Sequence, residues 1–145
     1  MVVFVDKFVN DVLVIEDIRH FWLCEPLEEI LVPEGVIKIH DSAFANYSSL
    51  IEILFKGGIV NIGANVFKNC SSLTDVVFRG DLTRLGDFAF ENCPRLSNVV
   101  FKGGAIDIGH NVFEGCPGLT IHAHEGSCAE AYAKDHGVSF IPIRL

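Results

Sequence analysis

Apolar residues recur along this chain at a constant interval of 23 residues. The interval links two sets of residues: Phe21, Phe44, Phe67, Phe90 and Phe113; and Leu27, Leu50, Leu73, Leu96 and Leu119. Three further columns share it: Ile39, Ile62, Leu85 and Ile108; Ile30, Ile53, Val76 and Val99; and Val32, Phe55, Phe78 and Phe101. A fixed period of this length is the sequence signature of a solenoid, in which each repeat forms one coil of the chain.

Within each repeat, alternating apolar positions are followed by glycine. Val76 and Phe78 flank Val77 with the two-residue period of a β-strand, and glycines such as Gly80 and Gly103 follow as turn residues. One coil cannot bury its inward side chains, whereas stacked coils place Leu on Leu and Phe on Phe. The pattern predicts an α/β solenoid of five coils with a parallel β-sheet, mostly strand and turn, and one carboxy-terminal capping helix.

Both ends of the chain depart from the repeat as caps do. We expect a single domain, 1–145, in which residues 1–26 form an amino-terminal cap and a degenerate first repeat, since Glu16 stands where other repeats have Ile. Repeats are expected over 27–125 and a carboxy-terminal cap over 126–145. The features of that second cap are a Ser-x-x-Glu capping box at Ser127 and Glu130, a helix-favouring stretch, a helix stop at Gly137 and a final strand over 138–143.

Composition and charge argue against several classes of function. The formal net charge of −8 is opposite to the basic surface that binds nucleic acid, so DNA and RNA are not expected as partners. Charged residues interrupt the apolar amino terminus before it reaches a membrane-spanning length, and no signal peptide is visible. No catalytic triad, carboxylate pair, phosphate loop or dinucleotide motif occurs, so we expect neither enzymatic activity nor a cofactor.

The repeated motifs Ile-Gly-x-x-x-Phe and Asn-Cys-x-x-Leu-x-x-Val-x-Phe, as in FKGGIVNIGANVFKNCSSL from Phe55, resemble the BspA-type, or Treponema-type, leucine-rich repeats. The final GCPGLTIHAHEGSCAEAYAKDHGVSFIPI resembles the cap that ends such arrays. His40 replaces the motif Gly and Tyr47 the motif Cys in the first full repeat. The resemblance implies a short right-handed leucine-rich-repeat stack that serves in adhesion or protein binding, typical of surface proteins of gut and oral bacteria and some protists. It implies the cell surface or secretion, while a cytoplasmic location stays open.

Four of the five cysteines occupy one repeat position: Cys24, Cys70, Cys93 and Cys116. Their spacing is that of the repeat rather than of a Cys-x-x-Cys ligand pair, so we expect an interior column of apolar thiols rather than a metal site or disulfides. Cys128, in the cap helix, lies outside the column and is expected to be the most reactive.

The segment IHAHEG contains a His-x-His pair, a residue type and spacing that can bind a metal. The 23-residue register places His122 in the column of Val99 and His124 in the column of Phe101. We therefore expect both histidines to close the last coil against the cap, and no metal site, because a convincing third ligand is lacking.

Asn46 and Asn69 begin formal glycosylation motifs, but Asn92 shares their repeat position. A repeated Asn favours a structural explanation. We expect this column to turn inward and to satisfy backbone groups of the loops.

Residues that alternate with the inward columns should form the outer face of the sheet. They are arranged in three rows: an acidic to polar row of Glu29, Glu52, Asp75 and Asn98; an apolar row of Leu31, Leu54, Val77 and Val100; and a basic row of Lys56, Arg79 and Lys102. An ordinary solvated sheet is one interpretation. However, adjacent like charges and a contiguous apolar row are mildly unfavourable, and both make sense if a partner covers the face.

The sequence thus favours a protein-binding or adhesion module, with a protein partner contacting these rows. A structural or self-associating repeat unit is the leading alternative. A carbohydrate-binding module is a second one, but it would need aromatic platforms, and the outward rows contain none. The partner itself is not specified by any motif.

Overall fold

The computed structural model describes residues 2–4, 8–9, 12–15, 28–32 and 34–144. In chain order the strands are β1 (Val2–Phe4), β2 (Phe8–Val9), β3 (Val12–Ile15), β4 (Glu29–Val32), β5 (Val36–Ile39), β6 (Glu52–Phe55), β7 (Ile59–Ile62), β8 (Asp75–Phe78), β9 (Leu82–Leu85), β10 (Asn98–Phe101), β11 (Ala105–Ile108), β12 (Thr120–Ala123) and β13 (Ser139–Pro142). One helix, α1 (Cys128–His136), lies between β12 and β13. The predicted column members Phe21, Cys24 and Leu27, and Glu16, lie outside the described residues.

Each full coil contributes one strand to each of two sheets. The first sheet has seven strands in the order β1-β4-β6-β8-β10-β12-β13, and the second has six in the order β11-β9-β7-β5-β3-β2. All strand pairs are parallel except β2 with β3, which are antiparallel. The predicted parallel solenoid of about five turns is confirmed. The second sheet, which follows the glycine turn of each repeat, was not predicted.

Two stacks of phenylalanine rings run through the core along the solenoid axis, the direction in which the coils stack. In the first stack, the ring centroids of Phe44, Phe67, Phe90 and Phe113 are successively 5.4, 5.0 and 5.5 Å apart, with nearly parallel planes. In the second, Phe55, Phe78 and Phe101 are 4.6 and 5.2 Å apart. Aromatic pairs contribute about 0.5–1.5 kcal/mol beyond their buried area. This repeated contact explains why Phe recurs at both positions.

The helix α1 closes the carboxy-terminal end of the core. Its Tyr132 ring packs edge-on against Phe113, 5.8 Å between centroids, and so ends the first stack. The backbone N–H of Glu130 donates to Ser127 Oγ over 3.1 Å, and Gly137 ends the helix in the left-handed conformation with φ of 67°. The predicted helix and both of its boundary signals are confirmed.

The cysteine column lies inside the solenoid, as predicted for its three described members, Cys70, Cys93 and Cys116. Each thiol donates to the carbonyl oxygen of a Phe 26 residues earlier, at Sγ–O distances of 3.3, 3.2 and 3.1 Å respectively. Burial raises the pKa of the Cys70 thiol to about 12. A hydrogen bond with Cys116, together with burial, raises the pKa of Cys93. The column therefore links adjacent coils through buried thiols that each donate to a main-chain carbonyl oxygen.

The asparagine column does not turn inward, so that prediction was wrong. Asn46 and Asn92 are exposed, and Asn69 donates from Nδ2 to Asn46 Oδ1 over 2.9 Å at the surface. The backbone is left-handed at Asn46, Asn69 and Asn92, with φ of 67°, 62° and 57°. Gly115, at the same position of the next repeat, has φ of 80°. The position selects Asn or Gly because these residues tolerate left-handed backbone, not because a buried carbonyl needs a partner.

Candidate functional site

The first sheet has one face in the core and one face outside. Along β6 the side chains of Ile53 and Phe55 are buried, whereas Glu52, Leu54 and Lys56 lie on the outer surface. The same alternation holds on β4, β8 and β10. The predicted inward columns through these strands are confirmed, and the residues between them form what we call the sheet face.

Parallel pairing without slippage aligns the outward residues of the sheet face into rows. The acidic to polar row contains Glu29, Glu52, Asp75, Asn98, Thr120 and Ser139 as register partners on successive strands. The apolar row contains Leu31, Leu54, Val77, Val100, His122 and Ile141. In the basic row, the backbone N–H groups of Lys56, Arg79 and Lys102 each donate to the preceding coil, at 2.9, 3.1 and 2.8 Å. The sequence identified the members from β4 to β10 but missed those on β12 and β13.

Like charges meet at the beginning of the acidic to polar row. Glu29 and Glu52 are register partners, and so are Glu52 and Asp75. A hydrogen bond with the Glu29 carboxyl, then burial, then the charges of Glu29 and Asp75 raise the pKa of Glu52 above its usual value. Among the described residues, no Lys, Arg or His lies within ion-pairing distance of Glu29 or Glu52. Within the described residues, this part of the row therefore holds negative charge without a cationic partner.

Further along, the same row is a hydrogen-bonded chain. Asp75 Oδ2 accepts from Thr74 Oγ1 over 2.8 Å, and Asp75 Oδ1 accepts from Asn98 Nδ2 over 3.0 Å. His122 Nε2 lies 3.0 Å from Asn98 Oδ1. Because that oxygen can only accept, His122 carries its proton on Nε2 in this arrangement. Along the solenoid axis the row thus changes from carboxylates that repel each other to polar side chains that are hydrogen-bonded to one another.

The basic row is solvent-exposed. Lys56, Arg79 and Lys102 are all exposed and lie on adjacent coils. Within the part of the chain that the structure describes, none of the three forms an ion pair. Their positive charges are therefore available to a binding partner.

The apolar row forms the floor of a shallow groove between the two charged rows. Leu31, Leu54, Val77 and Val100 are half-buried rather than fully exposed, while Ile141 at the far end is 51% exposed. Above β4, β6, β8 and β10 the floor and the charged rows line a depression of about 710 Å³. Long charged side chains beside short apolar ones give the face this shape.

The two histidines of the last coil do not point as predicted. Strand β12 pairs with β10 so that Val99 lies beside Ile121 and Val100 beside His122. Ile121 and Ala123 are buried, so His122 falls on the sheet face, and His124 Nε2 contacts the Lys102 carbonyl oxygen at 2.9 Å. The 23-residue register failed because this coil has one residue fewer between Leu119 and its first inward strand position. The alternation of Ile, His, Ala and His was the signal that the prediction overlooked.

Neither a metal centre nor a membrane-spanning helix occurs in the described ranges. No group of three or more His, Cys, Asp or Glu side chains there is arranged to hold a metal ion. No helix in the same residues is both long and apolar enough to cross a bilayer.

Coils of constant period that each add a strand to a continuous parallel sheet make the fold a β-solenoid, and the recurring Leu and Phe columns at 23-residue spacing are typical of the leucine-rich-repeat class. More specifically, the model of the BspA type leucine-rich repeat region matches residues 11–129 in six copies, and the chain belongs to this family. Proteins of this family are generally protein-interaction modules, and their solenoids are typically non-catalytic scaffolds.

A solved relative supports the assignment. The crystal structure of a leucine-rich repeat protein from Bacteroides ovatus is similar to this chain with a TM-score of 0.65 and 26% sequence identity. The similarity covers 81% of this chain but 30% of that protein, so the chain spans less than a third of its relative's length. No curated protein matches the sequence.

Proposed function

We propose that this protein is a non-enzymatic binding module whose sheet face contacts a protein partner. The observation that carries the proposal is the groove described above, in which an apolar floor through Leu54 and Val77 lies between charges of opposite sign that form no ion pair within the described residues. Isolated apolar residues are common on surfaces, but a continuous apolar row framed by charges is typical of an interaction site. The general role of the family as interaction modules supports the same conclusion.

An adhesive role at a bacterial surface is the setting that the family resemblance favours. The relative of known structure comes from the bacterium Bacteroides ovatus, and leucine-rich repeats provide extended sheet surfaces suited to contacts with large partners. In this setting the module would hold another protein through the charged rows and the apolar floor of the groove.

A photo-crosslinking residue placed at Val77 tests the proposal. The labelled protein is exposed to surface extract of the source organism, beside a control labelled at Thr83, which is exposed on the second sheet. We expect a discrete crosslinked protein from position 77 that is absent from position 83. Competition with unlabelled protein should abolish it, and competition with unlabelled Val77→Glu should be weaker by about tenfold or more. Equal labelling from both positions would contradict the proposal.

A further inference from the structure

We propose that the segment occupying the sheet face is an amphipathic α-helix of about 16 residues, lying along the solenoid axis, with basic side chains on one flank and acidic side chains on the other. This inference rests on the proposed function and specifies the chemistry of its partner. It is carried by the width of the groove, its length, and its charges.

The width of the groove matches a helix. Outward residues on one strand are two positions apart, which is roughly 6.6 Å at the usual rise of a strand. Glu52 and Lys56 are four positions apart, so the acidic and basic rows are separated by roughly 13 Å. An α-helix with its side chains is about 10–12 Å across. A helix therefore fits between the charged rows and rests on the apolar floor.

The length and direction of the groove also favour a helix along the axis. From Leu31 to Ile141 the apolar row crosses six of the seven strands of the sheet, with the depression above β4, β6, β8 and β10 and with His122 between Val100 and Ile141. Its five inter-strand steps of about 4.8 Å span roughly 24 Å. At about 1.5 Å per residue this is the length of a 16-residue helix. A helix lying along one strand would meet only one residue of the floor. An extended segment would gain no backbone hydrogen bonds, since those of the sheet lie within its plane.

The charges determine the flanks of the partner. Glu29 and Glu52 repel each other and have no cationic partner in the described residues, so a basic flank would relieve that repulsion. Acidic side chains on the other flank of the helix would similarly pair with the positive charges of Lys56, Arg79 and Lys102. Beyond Asp75 the first row is neutral and internally bonded, so the basic side chains are needed at one end of the helix only.

A second copy of this chain fits the groove less well. Two sheet faces placed together would meet at their long charged side chains, leaving the half-buried floors of Leu54 and Val77 apart. The depression of about 710 Å³ on each copy would then remain unfilled. A convex, narrow partner such as a helix fills it instead, with better packing of the apolar surfaces.

Selection from a displayed library of random 16-residue peptides tests the inference. The full 145-residue chain is the target, and peptides that also bind Val77→Glu are removed. We expect the enriched peptides to show apolar residues at helical spacing, with Lys or Arg on one flank and Asp or Glu on the other. Their affinity for the parent protein should exceed that for Val77→Glu by about tenfold. Enrichment of peptides that are extended or proline-rich, or whose charges show no preferred flank, would overturn the proposal.

Charge reversal supplies the matched control. In the variant Lys56→Glu, Arg79→Glu, Lys102→Glu both flanking rows are acidic, so selection should now favour peptides that are basic on both flanks. The same peptide pattern for both targets would overturn the charge assignment, and dimers seen by light scattering that block peptide binding would favour self-association instead. If crosslinking from Val77 succeeds while no helical peptide is enriched, the proposal of a helical partner is contradicted and the proposed function is retained. If crosslinking fails, the proposed function fails independently of the peptide result.

Discussion

Val76 and Val77 are neighbours in the chain, yet Val76 is fully buried whereas Val77 is half-buried on the sheet face. Substituting Glu at these two positions should therefore have opposite effects. Val76→Glu places an unpaired carboxylate in the core at a cost of several kcal/mol, comparable with the whole stability of many domains. Val77→Glu leaves that side chain near water and should change the free energy of unfolding by roughly 0.5 kcal/mol. Urea unfolding curves measure both, and equal midpoints would contradict the register of β8.

Thiol labelling tests the cysteine column. Without denaturant, a maleimide should modify Cys128, which is exposed, and leave Cys70 and Cys93 unmodified, because their thiols are buried and their pKa values are raised. Cys116 should also be protected by burial. Mass spectrometry of digested protein identifies the labelled positions, and Cys128→Ser is the control in which Cys70, Cys93 and Cys116 should all remain unlabelled while the protein is folded. Rapid modification of all the column cysteines would show that the core is open.

Removal of the cap should expose the end of the core. Deleting residues 126–145 uncovers Phe113 and the last coil, so we expect aggregation or a large fall in melting temperature. A milder change, Tyr132→Ala, removes the ring that covers Phe113 and should cost roughly 2–4 kcal/mol. Lys134→Ala, on the solvent side of the same helix, is the control with little expected effect. A soluble, fully stable deletion variant would show that the cap is dispensable.

Protonation of Glu52 should stabilise the fold. Its pKa is raised in the folded protein, so the folded state binds this proton more tightly than the unfolded chain does. Above the raised pKa, Glu52 is ionised and its repulsion destabilises the folded protein in full. As the pH falls from the raised pKa towards the ordinary value of 4.5, Glu52 takes up its proton in the folded state and the protein becomes more stable. Glu52→Gln should be more stable than the parent at pH 7, by less than about 1 kcal/mol at this exposed site. The advantage should shrink near pH 4.5.

Melting temperatures across this pH range measure that effect. Glu125→Gln, at an exposed position away from the acidic residues of the sheet face, is the control. A constant difference between Glu52→Gln and the parent at every pH would argue against repulsion between Glu29 and Glu52.

The left-handed backbone at Asn92 makes a simple prediction about substitution. Asn92→Ala should destabilise the protein by about 1 kcal/mol because a Cβ without a compensating polar group is unfavourable at a φ of 57°. Asn92→Gly should be close to neutral, as Gly115 is tolerated at the same repeat position. Chemical denaturation of the pair distinguishes this backbone explanation from a hydrogen-bonding one, under which both variants would be equally destabilised.

Most of the fold was predictable because the apolar columns impose it. A residue that recurs every 23 positions, such as Phe67, can be buried against its own copies only if the coils stack in register. The second sheet was missed because its strands, such as β9, are short and do not alternate simply: Leu82 and Leu85 are buried with two more exposed residues between them. A period of two therefore does not identify them.

The site was predictable wherever the repeat was regular. Outward positions on β6, β8 and β10 followed directly from the alternation of side chains. His122 was misplaced because a 23-residue period does not reveal that the last coil is one residue shorter after Leu119. The half-burial of Leu54 and the hydrogen bonds of Asp75 depend on neighbouring side chains from other coils. Such contacts are not visible in a list of positions, since they depend on side-chain conformations.

The shortened last coil has a consequence for how such a protein can lengthen. Ala123 directly follows His122, the register partner of Val100. It therefore occupies the inward position that Phe101 holds in the preceding coil. If a unit of 23 residues were duplicated between Phe78 and Phe101, its own Phe ring could stack against a ring on each side. A unit appended after Ala123 would have no ring to stack against at this position. Duplication of an internal unit would therefore preserve the ring stack, and each added unit would lengthen the sheet by about 4.8 Å. If the sheet face binds a helix as proposed, the number of internal copies would set the length of the helix that it accommodates.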